Sequence, residues 1–283
     1  MIPPTIGVFD SGFGGLTVLR ALIDRMPQAR FAFLGDTARL PYGSKSRRTI
    51  AKYAAESAQF LVHQQGAEFL VIACNTASAL ALDAIQEAVP DVPVLGVIAP
   101  GASAAHQASR TGDVLVIATD ATVQSRAYTT ACRAQGLRAL EKACPLLVPM
   151  VEEGWIDPSL PTGKVTAEII RIYLAELTAD AAAAGLNPDV LVLGCTHYPL
   201  LQPLLEAAVP PGIRVIDSAQ AAAEAALQSI NGRLSQPGEK LPEASPNTQL
   251  RCFATDSVEK FERLGSRFLG SSVGKVQLVD LGG

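Results

Sequence analysis

The chain has no run of some 18 apolar residues, so it carries no signature of a membrane-spanning helix. It has no block of like charges, and its formal net charge is only −4. Nucleic acid and membrane are therefore not expected as main partners. No CxxC pair occurs, so a structural zinc site has no signature. The five cysteines are odd in number and widely spaced, which argues against a disulfide framework. The first residues lack a basic-then-apolar leader and enter a strand pattern at Thr5, so a cytoplasmic location is expected. The Gly-rich turn Gly12-Phe13-Gly14-Gly15 lacks the third glycine of a dinucleotide loop, which disfavours a nucleotide reading.

What remains is a globular chain of 283 residues, 48% hydrophobic and 18% charged, enough for one large or two ordinary domains. Apolar runs alternate with helical patterns almost throughout. Strands are expected at 5–10, 30–35, 68–73, 92–97, 113–118, 189–194, 213–217, 250–254 and 276–281. Their Val/Ile/Leu-rich, non-alternating character suits strands buried on both faces. Helices are expected at 15–26, 46–65, 76–88, 122–135, 164–184, 199–208, 219–231 and 257–268. The alternation gives a parallel α/β fold. The polar segment 232–248, rich in Pro, Gly and Ser, reads as an exposed connection.

One element occurs twice. Val71-Ile72-Ala73-Cys74-Asn75-Thr76 is matched 121 positions later by Val192-Leu193-Gly194-Cys195-Thr196-His197. Leu70 matches Leu191 and Val94 matches Val215 at the same spacing. Two related α/β units are inferred, each with a thiol where a strand ends and a helix opens. Open α/β sheets place ligand clefts at that edge, and helix N-termini favour thiolate. Two such thiols facing one cleft can take a proton from one side of a carbon and return it from the other. The three other cysteines, Cys132, Cys144 and Cys252, read as packing residues.

Other candidates sit at neighbouring strand ends. Asp10 precedes the Gly-rich turn and is either a functional carboxylate or a helix cap. Tyr42 lies in Pro41-Tyr42-Gly43-Ser44 as a potential donor to a substrate, and Ser44 as a cap for the next helix. His197 shares a loop with Cys195 and can tune its proton. Cys195 and His197 could instead join Cys74 and Asp10 at a metal, which requires separate loops to converge. His63 and His106 read as solvated. Glu152 and Glu153 on their own mark a surface loop.

Taken in order, Phe9-Asp10-Ser11-Gly12-x-Gly14-Gly15, Gly35-Asp36-Thr37, Pro41-Tyr42-Gly43, Cys74-Asn75-Thr76-Ala77, Pro149-x-Val151-Glu152 and Gly194-Cys195-Thr196-His197-Tyr198-Pro199 resemble the glutamate racemases of the aspartate/glutamate racemase superfamily. The resemblance spans nearly the whole chain. It implies a cofactor-independent, metal-free isomerase that interconverts L- and D-glutamate and supplies D-glutamate for peptidoglycan. Cys74 and Cys195 resemble the two acid/base thiols, assisted by Asp10 and His197, with Glu152 the acidic residue of the third-quarter motif. Asp10, Ser11, Tyr42, Gly43, Asn75, Thr76, Thr119, Thr122, Thr196 and His197 resemble the substrate contacts. Ala118 stands where the family more often has glycine.

The resemblance also implies two similar parallel-sheet domains related by pseudo-symmetry, with the active site in the cleft between them. The first is expected at about 1–98 plus 210–283, the second at about 99–209. A homodimer is expected. Two rival readings stay open. An aspartate or hydantoin racemase of the same fold is one, although aspartate-type relatives tend to carry an acid at the His197 position. A non-catalytic amino-acid-binding protein of two lobes is the other.

Overall fold

Strands rich in Val, Ile, Leu and Phe with no polar alternation must be covered on both faces, and here they are. A computed structural model describes residues 4–233 and 249–282. Its strands are β1 (Thr5–Asp10), β2 (Arg30–Gly35), β3 (Phe69–Ile72), β4 (Val94–Gly96), β5 (Asp113–Ala118), β6 (Arg138–Ala143), β7 (Val190–Gly194), β8 (Arg214–Asp217), β9 (Leu250–Ala254) and β10 (Val276–Leu278). The helices are α1 (Leu16–Arg25), α2 (Arg47–Gln59), α3 (Asn75–Leu80), α4 (Leu82–Ala88), α5 (Ile98–Ala108), α6 (Asp120–Ser125), α7 (Ala127–Ala134), α8 (Leu147–Glu152), α9 (Pro161–Ala183), α10 (Gln202–Ala208), α11 (Ser218–Arg233) and α12 (Val258–Leu269).

The described residues up to Val97 and from Ala219 onward form one compact unit, and Ile98–Ser218 form a second. The first unit holds a six-stranded parallel sheet ordered β10-β9-β2-β1-β3-β4. On one face, Ile50, Ala54 and Ala58 of α2 and Ile85 of α4 pack with Leu34, Leu70 and Ile72. On the other, Phe13 and Phe33 meet Phe261 of α12 in edge-on ring pairs 6.2 and 5.9 Å apart. Each such buried ring contributes roughly 2–3 kcal/mol of hydrophobic stabilisation.

The second unit holds a parallel sheet ordered β6-β5-β7-β8. This repeats β2-β1-β3-β4 of the first, and the register repeats with it. Thr5 pairs with Arg30 as Asp113 pairs with Arg138, both steps of 108 positions. Leu70 pairs with Val94 as Leu191 pairs with Val215, both steps of 121. The expected second domain ended at 209, which left β8 to the first. The structure keeps β8 in the second unit because it pairs with β7, and the chain returns to the first unit at Ala219.

Several elements differ from expectation. β6 and α5 are additional. β6 (RALEKA) is an edge strand whose residues are partly exposed, so it lacks the apolar signature. α5 carries Pro100 and Gly101 in its first turn, where a missing N–H costs nothing. The expected helix 46–65 is α2 followed by a π turn at Phe60–Gln64, and Ser46 rather than Ser44 caps it by accepting the Thr49 N–H. Arg126, at φ +53, splits the expected helix 122–135 into α6 and α7. Of the expected connection 232–248, residues 234–248 lie outside the described residues.

Candidate active site

In the first unit β1 and β3 run side by side, with Phe9 opposite Ile72. Asp10 and Ser11 therefore leave the sheet beside Cys74. Cys74 caps α3: its sulfur accepts the Ala77 N–H at 3.4 Å, and its thiol donates to Ser11 Oγ at 3.4 Å. Asp10 Oδ2 accepts the Gly12 N–H at 3.0 Å. Burial, then the Asp10 charge, push the Cys74 thiol up to about 12, against the hydrogen bonds to Ser11 and Ala77. Cys74 is thus a proton donor at neutral pH. Asn75 and Thr76 form the first turn of α3 and are buried. Glycine is required at position 15, since a Cβ there would lie 2.5 Å from Asp10 Cβ.

Tyr42 does not present its hydroxyl to a ligand as expected. It is buried, and the hydroxyl donates to Asp36 Oδ2 at 2.5 Å. Burial and the Asp36 charge raise the phenol far above its ordinary value. Asp36 also accepts from Arg39 Nε at 2.8 and 3.0 Å and from Thr255 Oγ1 at 2.9 Å. Arg39 bonds Glu56 and lies over the Tyr53 ring, 4.2 Å from its centroid. This network locks the Pro41-Tyr42-Gly43 loop onto α2 and the end of β9. Gly43 is half-buried at its tip. Sequence reasoning passed over Asp36, although Gly35-Asp36-Thr37 was visible as a strand end.

In the second unit Ala118 ends β5 opposite Gly194 at the end of β7. A Cβ at Gly194 would lie 2.9 Å from Ile117 O and from the Tyr128 ring, so glycine lets the two strand ends close. Cys195 follows, but it does not open a helix. A turn and a 3-10 segment (Tyr198–Leu201) precede α10. Its company is instead an imidazole. His197 Nδ1 lies 3.9 Å from Cys195 Sγ, and Nε2 lies 3.3 Å from Glu152 Oε1. Burial disfavours the charged ring, but the bonds to Cys195 and Glu152 outweigh it and bring His197 up to about 10. Glu153 is exposed, so Glu152 is the member of the doublet that faces the histidine. Thr119 and Thr122 hydroxyls lie 3.0 Å apart at the start of α6, and Thr196 is buried beside Cys195.

The two edges are alike in backbone and unlike in charge. Ala118 occupies the β-strand position of Asp10, and Thr76 the position of His197. Each thiol has one ionisable neighbour close at hand, taken from a different loop. Cys132, Cys144 and Cys252 are buried, and His63 and His106 are exposed. Among the described residues, no group of three or more His, Cys, Asp or Glu is placed to hold a metal ion. No described helix is long and apolar enough to cross a membrane.

Two parallel α/β units, each ending in a cysteine flanked by hydroxyl and amide donors, define a class of proton-transfer enzymes on small molecules. Residues 16–226 match the model of the Asp/Glu/hydantoin racemase family. A glutamate racemase of Koribacter versatilis is 50% identical over 99% of this chain and 98% of its own. One from Chlorobaculum tepidum is 44% identical over 98% and 96%. The crystal structure of the Francisella tularensis glutamate racemase with D-glutamate superposes with a TM-score of 0.85 at 33% identity, covering 99% of each chain. The chain belongs to the Asp/Glu/hydantoin racemase family, among its glutamate racemases, and is an amino-acid racemase.

Proposed function

We propose that this protein interconverts L- and D-glutamate by a two-thiol proton transfer between Cys74 and Cys195, in a cleft between the two units. The observation that carries this reading is the equivalence of the two cysteines at the carboxyl ends of β3 and β7. One sulfur, as thiolate, takes the Cα proton. The other, as thiol, delivers its proton to the opposite face. The roles exchange with the enantiomer bound. A thiolate beside a thiol holds its partner protonated, which favours the mixed state.

The α-proton of an amino acid is weakly acidic, so the carbanion must be met by fixed donors rather than by water. Ser11, the Tyr42-Gly43 loop, Asn75, Thr76, Thr119, Thr122 and Thr196 supply amides and hydroxyls for the two carboxylates. Asp10 assists Cys74, and His197, held by Glu152, assists Cys195. These side chains perform every proton step, so the reaction calls for no prosthetic group or metal. Closure of the units around the substrate excludes water. The enzyme acts in the cytoplasm as a homodimer, and its product D-glutamate serves peptidoglycan synthesis.

The test is hydrogen exchange at Cα of L-glutamate in D2O with the purified protein. Solvent deuterium should enter Cα while D-glutamate forms. Tight binding with no exchange would replace the enzyme reading with a binding protein. Faster turnover of aspartate than glutamate would move the substrate assignment. Sedimentation equilibrium reads the dimer.

A further inference from the structure

In the parallel ladder between β3 and β4, Leu70 donates its N–H to the Pro93 carbonyl at 2.9 Å. Carried on in register, the ladder's last rung would join the Val97 N–H to the Ile72 carbonyl. A hydroxyl is inserted there instead. Ser78 Oγ accepts the Val97 N–H at 3.2 Å and donates to Ile72 O at 2.8 Å. The Ile72 carbonyl lies two residues before Cys74. Val97 is the residue at which the chain leaves the first unit.

The second unit repeats this at the 121-residue offset. Leu193 is the counterpart of Ile72, and Ser218 the counterpart of Val97. Ser218 Oγ donates to Leu193 O at 3.1 Å, two residues before Cys195. Ser218 is also where the chain leaves its unit. Both serines are buried, and both of their bonds to the strands are buried. One hydroxyl comes from α3 and the other from the first residue of α11, yet each grips the same rung.

We infer that Ser78 and Ser218 are positioning residues for the two thiols, each fixing the strand end that carries its cysteine to the segment where the chain crosses between units. Without the hydroxyl, the Ile72 carbonyl and Val97 amide are left unpaired or close directly on each other. Either outcome moves the backbone two residues from Cys74. The same holds for Leu193 and Cys195. Proton transfer is steeply sensitive to donor–acceptor distance, so the effect falls on kcat. This inference rests on the two-thiol reading.

Ser78→Ala and Ser218→Ala test it with Cα-deuterated L- and D-glutamate. Each variant should lose about tenfold in kcat with KM within about threefold. The equilibrium constant between enantiomers is one, so kcat/KM must fall equally in both directions. The isotope effect is under no such constraint. Slowing one thiol makes Cα–D cleavage more rate-limiting for the enantiomer it deprotonates and less so for the other. Ser78→Ala should raise the isotope effect for one enantiomer and lower it for the other, and Ser218→Ala should do the reverse. An isotope effect is a ratio for one preparation, so partial unfolding does not alter it. Unchanged isotope effects, or shifts of the same sense for both enantiomers, overturn the inference. Failure of the two-thiol reading is seen separately, as activity surviving in Cys74→Ser and Cys195→Ser.

Discussion

Glu152 Oε1 lies 3.3 Å from His197 Nε2, while the other nitrogen of the same ring faces Cys195 Sγ at 3.9 Å. A carboxylate, an imidazole and a sulfur thus form one line that reaches from α8 to the loop after β7. The ring's partners on both sides keep it charged despite its burial.

The pH dependence follows from that line. His197 is raised from 6.5 to about 10 in the folded state. Its contribution to stability is present in full below pH 6.5 and is lost as pH rises through about 10. Glu152→Gln removes one of the bonds that favour the charged ring, so the ring should titrate at lower pH. NMR titration of the His197 ring reads this directly, and the alkaline decline of kcat should shift the same way. An unmoved titration would mean that Glu152 does not hold the charge.

The thiols themselves give the second expectation. Cys74→Ser and Cys195→Ser should each lose about a thousandfold or more of racemase activity, because a hydroxyl is a far weaker acid than a thiol. Thermal unfolding should change little. Alkylation should abolish activity and a chelator should not. Loss in EDTA that added zinc restores would instead put a metal at the site.

Tyr42 gives a third. Its hydroxyl is spent on Asp36, so Tyr42→Phe removes one donor from a buried carboxylate. The expected loss is about 1–3 kcal/mol of stability, read by urea denaturation, with KM for glutamate nearly unchanged. A large rise in KM with unchanged stability would return the hydroxyl to the substrate.

A fourth concerns a glycine. The Cβ of Gly15→Ala would sit 2.5 Å from Asp10 Cβ and 2.9 Å from Ala73 Cβ. Both neighbours are close to rigid backbone, so Asp10 must move. Overpacking of this kind costs about 1–3 kcal/mol, and kcat should fall further than stability alone explains. Wild-type kcat in Gly15→Ala would separate Asp10 from the chemistry.

The central strands were legible because their burial is written as unbroken Val, Ile, Leu and Phe. β6 was not, since Arg138, Glu141 and Lys142 on a sheet edge look like a loop. Cys74, Cys195, Asp10 and His197 were visible because parallel sheets put their chemistry at strand ends. Glu152 was visible only through resemblance, as its contact with His197 spans 45 positions. The direction of the Tyr42 hydroxyl depends on Asp36 and, behind it, Thr255, which lies 219 positions further along the chain. No local pattern encodes a contact of that separation. The helix expected to open at Cys195 also failed locally, because Pro199 and Pro203 delay the α-helical hydrogen bonds.

The second unit is one uninterrupted stretch, whereas the first is interrupted by it. On the ribosome, Ile98–Ser218 is complete before β9 has been made. Until then β2 lacks the neighbour that pairs with Phe31 to Gly35. Its edge stands open during synthesis, a ready template for mispairing with other nascent chains. The half that carries Cys195 can mature early, while the half that carries Cys74 waits for the last strands to seal its sheet.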